Sequence, residues 1–361
     1  MKFLETDQFL EKAEELRQKT QYNKSLLLFR KALKIYFSSK NLPKILECQL
    51  SIGDLYRMIG NFDRAEQSYS EAVLTAKKIN DTSALSDAKI GIGLSMRGRG
   101  DWKNAIKMSS SALKSYKSNN DRQGIAFSLW AVAGALRIKG DVLKAIDTYK
   151  ESLKMFKTLK IRPAVGYCLC GLGGTTRIAG FSESSFKYYG AANKLFSDLK
   201  DNFGMAYSHC GTGNAYRMKG EYKNALSSFK KASSIYTKIG DRVSYSYTLW
   251  SIGTTYKMLN NNKMASIYFK KAQGLFTETK DPRGLIYCKL GLGEIALLEG
   301  RKISAEKYFK SSLTNAKLYG FRVEKCHAEM LLYFLSGKLK SDCYKKIGLK
   351  LSFTQAPFNI P

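Results

Sequence analysis

The residues best placed to do chemistry recur at a fixed distance. Arg17, Arg57, Arg97, Arg137, Arg177 and Arg217 stand 40 residues apart, Lys257 continues the series, and Leu297 ends it. A guanidinium offers a planar fork of donors that holds a carboxylate or phosphate with two hydrogen bonds, so a row of them reads as a row of anion sites. Aromatic residues keep the same interval: Phe127, Tyr167, Tyr207, Tyr247 and Tyr287 form one series, preceded by Glu47 and Asp87. A third series carries Trp130 and Trp250 with Cys170 and Cys210 between them. Such rings either stack on nucleobases or wedge between helices. The basic side chains likewise have an architectural alternative, in which the stem lies along the next helix and the head pairs with a neighbouring carbonyl or carboxylate.

Other chemistry is not supported by the spacing. Only two histidines occur, His209 and His327. His209 adjoins Cys210, and Cys168 and Cys170 lie nearby, but neighbours on a helix point about 100° apart and residues two apart about 200°. They do not converge as metal ligands, and buried thiols are the expected reading. The GxG strings at 91, 171, 211 and 291 do not follow strands, so they are not phosphate loops. With no nucleophile elbow, carboxylate pair or HExxH string, no enzyme, cofactor or metal is expected.

The elements that must position these residues are set by the same period. Glycine stands at 60, 100, 140, 180, 220 and 300, with Asn260 in the gap, and again at 53, 93, 173, 213, 253 and 293, with Ala133 in its gap. Small residues follow at 65 and 72 and their equivalents, with Tyr69, Tyr149, Tyr189, Phe229, Phe269 and Phe309 between them. No insertion breaks the frame between residues 46 and 325. Within one unit the apolar spacing is three and four, as in Ile252, Gly253 and Tyr256, then Ala265, Phe269 and Ala272, which predicts two helices. Gly60 and its equivalents end the first helix, and Asp101, Asp141 and Glu221 suit the start of the second.

Gly53, Tyr56, Ala65, Tyr69 and Ala72 are placed as in the tetratricopeptide repeat, and the 40-residue unit with linkers such as DRQG (121–124) resembles the repeats of the LGN/Pins scaffolds and of bacterial peptide-sensing regulators. The resemblance implies an all-α solenoid: a superhelix of antiparallel helix pairs whose first helices line a concave face. Eight units begin at 6, 46, 86, 126, 166, 206, 246 and 286, so the array spans 1–325. Capping helices at 326–349 and an extended apolar tail at 350–361 follow.

Numbered from residue 46, positions 2, 5, 9 and 12 form a stripe opposite the packing residues at 7, 8 and 11. The candidate ligand-binding residues are therefore Arg57, Arg97, Arg137, Arg177, Arg217 and Lys257, with Phe127, Tyr167, Tyr207, Tyr247, Tyr287, Trp130 and Trp250. In the units beginning at 126, 166 and 206 nothing acidic stands on the stripe. Extra glycines sit inside the helices, at position 6 (Gly91, Gly171, Gly211, Gly291) and position 9 (Gly134, Gly174), where they make room either for the aromatics or for a ligand. Lysines such as Lys103, Lys107, Lys223 and Lys230 fall on the outward face of second helices.

The totals set outer bounds. Sixty Lys and Arg against 30 Asp and Glu give a formal charge of +30, which attracts anionic partners of several kinds. No apolar run approaches the about 20 residues of a membrane span, and the opening MKFLETDQFLEKAEEL has no secretion-signal core, which places the chain in the cytoplasm. Seven cysteines without paired spacing are expected to be reduced. The function these readings favour is a non-catalytic interaction scaffold whose concave groove takes an extended acidic segment of a partner protein. The alternatives are single-stranded nucleic acid held by the same Arg/Tyr stripe, docking of the tail around Phe353 to Phe358 into its own or a neighbouring molecule, and a small molecule at the tryptophans.

Overall fold

Helix starts and stops recur every 20 residues, twice as often as the glycines alone indicate. The computed structural model describes residues 2–351, 353 and 356–361, with the side chains of the first helix described from Thr6. Gly60, Gly100, Gly140, Gly180, Gly220 and Gly300 have positive φ, and so do Thr20, Lys40, Asn80, Asn120, Lys160, Lys200, Asn260 and Lys280. A left-handed residue is the usual way to end a helix and reverse the chain. Several breaks are followed by a cap: the side chains of Asn41, Asn61, Asp81, Asp101, Asp201, Asn261 and Asp281 accept from backbone amides of the first turn. The described chain is all-α, as expected.

Contacts divide it into two compact units, residues 1–132 with 238–241, and residues 133–237 with 242–361. The first holds α1 (Lys2–Gln18), α2 (Tyr22–Ser38), α3 (Leu42–Met58), α4 (Phe62–Lys78), α5 (Thr82–Gly98), α6 (Trp102–Ser118) and the start of α7 (Arg122–Lys139). The second holds the end of α7, then α8 (Val142–Thr158), α9 (Arg162–Ile178), α10 (Ser182–Leu199), α11 (Asn202–Met218) and most of α12 (Tyr222–Ile239). It continues through α13 (Arg242–Met258), α14 (Asn262–Glu278), α15 (Pro282–Leu298), α16 (Lys302–Tyr319), α17 (Arg322–Leu335) and the short α18 (Asp342–Lys346). From α1 to α6, from α8 to α11 and from α13 to α18 each helix packs on the next, and α9, α11, α13, α15 and α17 also touch one another in succession. These helices therefore form a continuous inner layer in the second unit.

The position-6 glycines are explained by this stacking. A Cβ on Gly171 or Gly211 would fall inside the ring of Tyr149 or Tyr189, and one on Gly91 or Gly291 inside Tyr69 or Phe269. The aromatic of each second helix thus lies flat on the backbone of the following pair. The outward lysines Lys103, Lys107, Lys223 and Lys230 are exposed.

Where capping helices were expected, α17 starts at Arg322, 40 residues after Pro282, and so continues the series of first helices. One expectation is corrected: the cysteines are not all thiols, since Cys326 and Cys343 form a disulfide that ties α17 to α18. The hairpin between these helices brings the two together across 17 residues, a juxtaposition their spacing in the sequence does not reveal. Cys48, Cys168, Cys170, Cys210 and Cys288 are free. Among the described residues, no helix is long and apolar enough to cross a membrane.

The second unit closes on itself. Arg322 at the head of α17 pairs with Asp141 at the head of α8, 181 residues away, and Gly140 lies directly against the Arg322 side chain. After α18 the chain returns to the same edge, where the Lys350 amide donates to the Ala179 carbonyl at 3.0 Å.

Candidate functional site

In the first unit the position-12 cations are used by the scaffold. Arg17 pairs with Glu14 at 2.8 Å and reaches Asp54 at 3.7 Å, while Arg57 pairs with Asp54 at 3.1 Å and donates to the Tyr69 hydroxyl at 3.4 Å. Asp54 stands one helical turn before Arg57, at the distance that favours an ion pair. Arg97 lies over the ring of Trp130, 5.2 Å from its centroid, and Phe127 stacks on the same indole at 5.7 Å.

In the second unit the series behaves differently. Arg217 is fully buried, lies over Trp250 at 5.6 Å, and donates to the Asn214 side-chain oxygen at 3.0 and 3.3 Å. Lys257 is 2% exposed and is paired with the fully buried Glu294 at 2.5 Å. Arg137 and Arg177 come between the two tryptophan-stacked arginines in the series, and the residue 33 positions on is Cys170 or Cys210 in place of tryptophan. Nε of Arg137, and Nε and Nη1 of Arg177, are buried without a hydrogen-bond partner. Leaving such a charged donor unmatched costs more than leaving a neutral one, on the order of 1–3 kcal/mol or above.

Gly174 explains how Arg137 is seated. A Cβ there would meet Arg137 Nη1 at 2.8 Å and the Tyr189 hydroxyl at 3.0 Å, so this position-9 glycine holds the space for the guanidinium. Arg137 lies within electrostatic reach of Tyr207, Tyr149 and Arg283, and Arg177 within reach of Arg217 and Tyr287. Burial, together with the neighbouring Arg177, pushes the Arg217 guanidinium down to about 9. At neutral pH it remains charged, so the inner layer confines mutually repelling cations. Burial also lowers Lys257 and raises Glu294, and their ion pair opposes both shifts.

The position-2 aromatics sit mainly in the seams. Tyr167 packs on Phe196 at 4.9 Å and donates to Asp201 at 2.7 Å. Tyr247 packs on Phe276 at 4.8 Å and donates to Asp281 at 2.8 Å. Tyr287 is buried against Trp250, with ring centroids 4.8 Å apart. Their hydroxyls and faces are taken up in joining one pair to the next. Tyr207 is half-buried and lies beside Arg137.

Three further contributors stand beside the expected residues, the last of them the tail that the sequence offered as an alternative occupant. Arg283, in the first turn of α15, pairs with buried Glu324 at 2.6 Å. Glu294, at position 9 of its unit, is the partner of Lys257. The third is the segment after α18. Phe358 is 1% exposed; its carbonyl accepts from Lys257 Nζ at 2.8 Å and its amide donates to Glu294 Oε1. The Asn359 side chain accepts from Arg217 Nη1 and donates to the Arg217 carbonyl at 2.8 Å. Of the expected 350–361 tail, residues 352, 354 and 355 lie outside the described residues.

Residues 204–278 match the model of the tetratricopeptide repeat family. No curated protein matches the chain. Among solved structures, a Rap protein complexed with competence and sporulation factor is 15% identical, with a TM-score of 0.62 over 95% of this chain and 98% of that one. The Rap conjugation gene regulator of the plasmid pLS20, in complex with the Phr* peptide, is 12% identical, with a TM-score of 0.62 over 87% and 95%. NprR in complex with its cognate peptide NprX is 13% identical, with a TM-score of 0.59 over 83% and 86%. A helix every 20 residues, inner-layer stacking and these likenesses agree on the fold: residues 204–278 carry tetratricopeptide repeats, and the chain shares the helix-pair architecture of the Rap and NprR structures.

Proposed function

We propose that this chain is a non-catalytic interaction protein whose second unit binds an extended acidic peptide segment, with Arg137 and Arg177 as its principal anchors. One observation carries the reading: the buried nitrogens of these guanidinium groups lack partners while their neighbours in the series are satisfied. A carboxylate supplies two acceptors in the plane of the fork and offsets the repulsion among the cations. Two architectural relatives are complexes with peptides, which makes a peptide the natural guest for this layer. The seam positions of Tyr167, Tyr247 and Tyr287 argue against base stacking. Trp250, under Arg217, serves as a wall of the site.

The test is a titration of the full chain with a fluorescent peptide carrying aspartate at every third residue, beside a neutral analogue and a labelled oligonucleotide. The acidic peptide is expected to bind more tightly than the neutral one. Arg137→Gln with Arg177→Gln should weaken binding at least about tenfold while the melting temperature stays near that of the unaltered chain, because each lost charged hydrogen bond is worth about a decade or more. Equal binding of acidic and neutral peptides would refute the reading, and tighter, steeply salt-dependent oligonucleotide binding would replace it with nucleic acid.

A further inference from the structure

The segment after α18 is seated as a guest would be. Leaving the helix, it pins the Lys350 amide to Ala179, and the Lys350 carbonyl enters the space that a Cβ would occupy at Gly180. Phe353 and Phe358 pack edge to face at 5.6 Å, and Phe358 packs on Phe334 of α17 at 5.0 Å. Phe358 and Asn359 then lie across the inner layer. Lys257 and Glu294 take the backbone carbonyl and amide of Phe358, one polar group each, as an added extended chain is read in other recognition modes. Asn359 meets Arg217 with both ends of its amide. Arg217 and Lys257 are the two cations of this unit that the segment covers, and they are also the ones that are fully buried.

The contacts are made by a neutral occupant. No carboxylate of the described segment reaches Arg217, which is held by the amides of Asn214 and Asn359 alone among its described hydrogen bonds. Nε and Nη1 of the neighbouring Arg177 remain without a partner. A peptide presenting a carboxylate where Asn359 presents its carbonyl gains a charge-assisted pair that the segment does not make, and a second acidic residue can reach Arg177.

We infer that the segment after α18, through Phe353 and residues 356–361, is a built-in competitor for the peptide groove, an autoinhibitory occupant that an acidic segment displaces from Arg217, Lys257 and Glu294. The inference rests on the peptide reading above and adds both its regulation and its contact pattern. The guest carries an apolar side chain at the Phe358 position, followed by a residue with a side-chain oxygen at the Asn359 position. A tethered competitor acts at high effective concentration, so the affinity seen from outside is the intrinsic affinity scaled by the fraction of time the groove is open.

The experiment uses the full chain with Phe358→Ala and Asn359→Ala together, beside the unaltered chain, and the acidic probe peptide. Release of the segment is expected to tighten probe binding at least about tenfold, in line with the fraction-open relation. It is also expected to let a synthetic peptide of residues 353–361 bind the variant and not the unaltered chain. In the unaltered chain, saturation with the probe should speed amide hydrogen exchange at Phe358, a readout that does not depend on the variant folding. Equal probe affinity in both chains, or Phe358 exchange unmoved by saturating probe, would overturn the competitor while leaving the peptide site intact. Failure of both chains to bind the probe would instead remove the peptide reading itself. A dimer that the double substitution converts to monomer would assign the segment to a neighbouring copy and also overturn the proposal.

Discussion

Gly211 has no room for a methyl group, because the ring of Tyr189 lies where its Cβ would be. Glycine inside a helix costs about 1 kcal/mol relative to alanine, yet here the exchange to alanine has the opposite sign. Gly211→Ala should destabilise the second unit by about 1–3 kcal/mol, the usual cost of overpacking a close-packed site. Thermal denaturation checks this, with Tyr189→Leu as the partner substitution. If ring and glycine are coupled as described, the double variant loses clearly less than the sum of the single losses, and simple additivity would contradict the contact. The same scale explains what was unreadable. Gly171 and Gly211 are plainly glycine in the sequence, but the aromatic that claims their space belongs to the preceding unit, and only a packed seam reveals it.

At the scale of elements, each helix is short and ends in a left-handed residue, so its position depends on neighbours more than on its own propensity. The last two helices are held by a covalent bond as well. Closing the Cys326–Cys343 loop, with its sequence separation of 17, stabilises the pair by roughly 3 kcal/mol through the unfolded chain. Thiol titration of the denatured, unreduced protein should find five reactive cysteines, Cys48, Cys168, Cys170, Cys210 and Cys288. Dithiothreitol should lower the melting temperature, and seven reactive thiols before reduction would contradict the bond. In a reducing compartment the bond needs protection, and Cys326 is 1% exposed. The stripe at position 12 was legible as a stripe. Its division into scaffold and open cations was not, although the 33-residue offsets that pair Arg97 with Trp130 and Arg217 with Trp250 were there to be found.

The whole second unit depends on its C-terminal cap, which carries both the closing contact to Asp141 and the segment lying across the inner layer. Within that cap His327 is fully buried, with Nδ1 at 2.7 Å from the Tyr344 hydroxyl. Burial, reinforced by Arg283, pushes its imidazolium down to about 3. A depressed folded value means that the unfolded chain takes the proton first. Stability is therefore complete above about pH 6.5 and is lost on acidification towards 3, at about 1.4 kcal/mol per pH unit. Denaturation midpoints should fall between pH 6.5 and 5, and His327→Gln should flatten that fall. Burial also lowers His209, the other histidine, so the difference between the two proteins isolates the cap. An identical slope in both would place the acid response elsewhere.

The sequence by itself determined the all-α repeat, its period and the row of cations, because helix formation and stacking of one pair on the next are local and recur with the same residues at the same offsets. Even the continuation to Arg322 lay in that frame. Tertiary structure alone decided which cations remain unmatched, that Asp141 meets Arg322, and that Phe358 and Asn359 cover Lys257 and Arg217. Those contacts join residues about one hundred or more positions apart, and they depend on the small rotation accumulated at every helix pair, which no single repeat encodes.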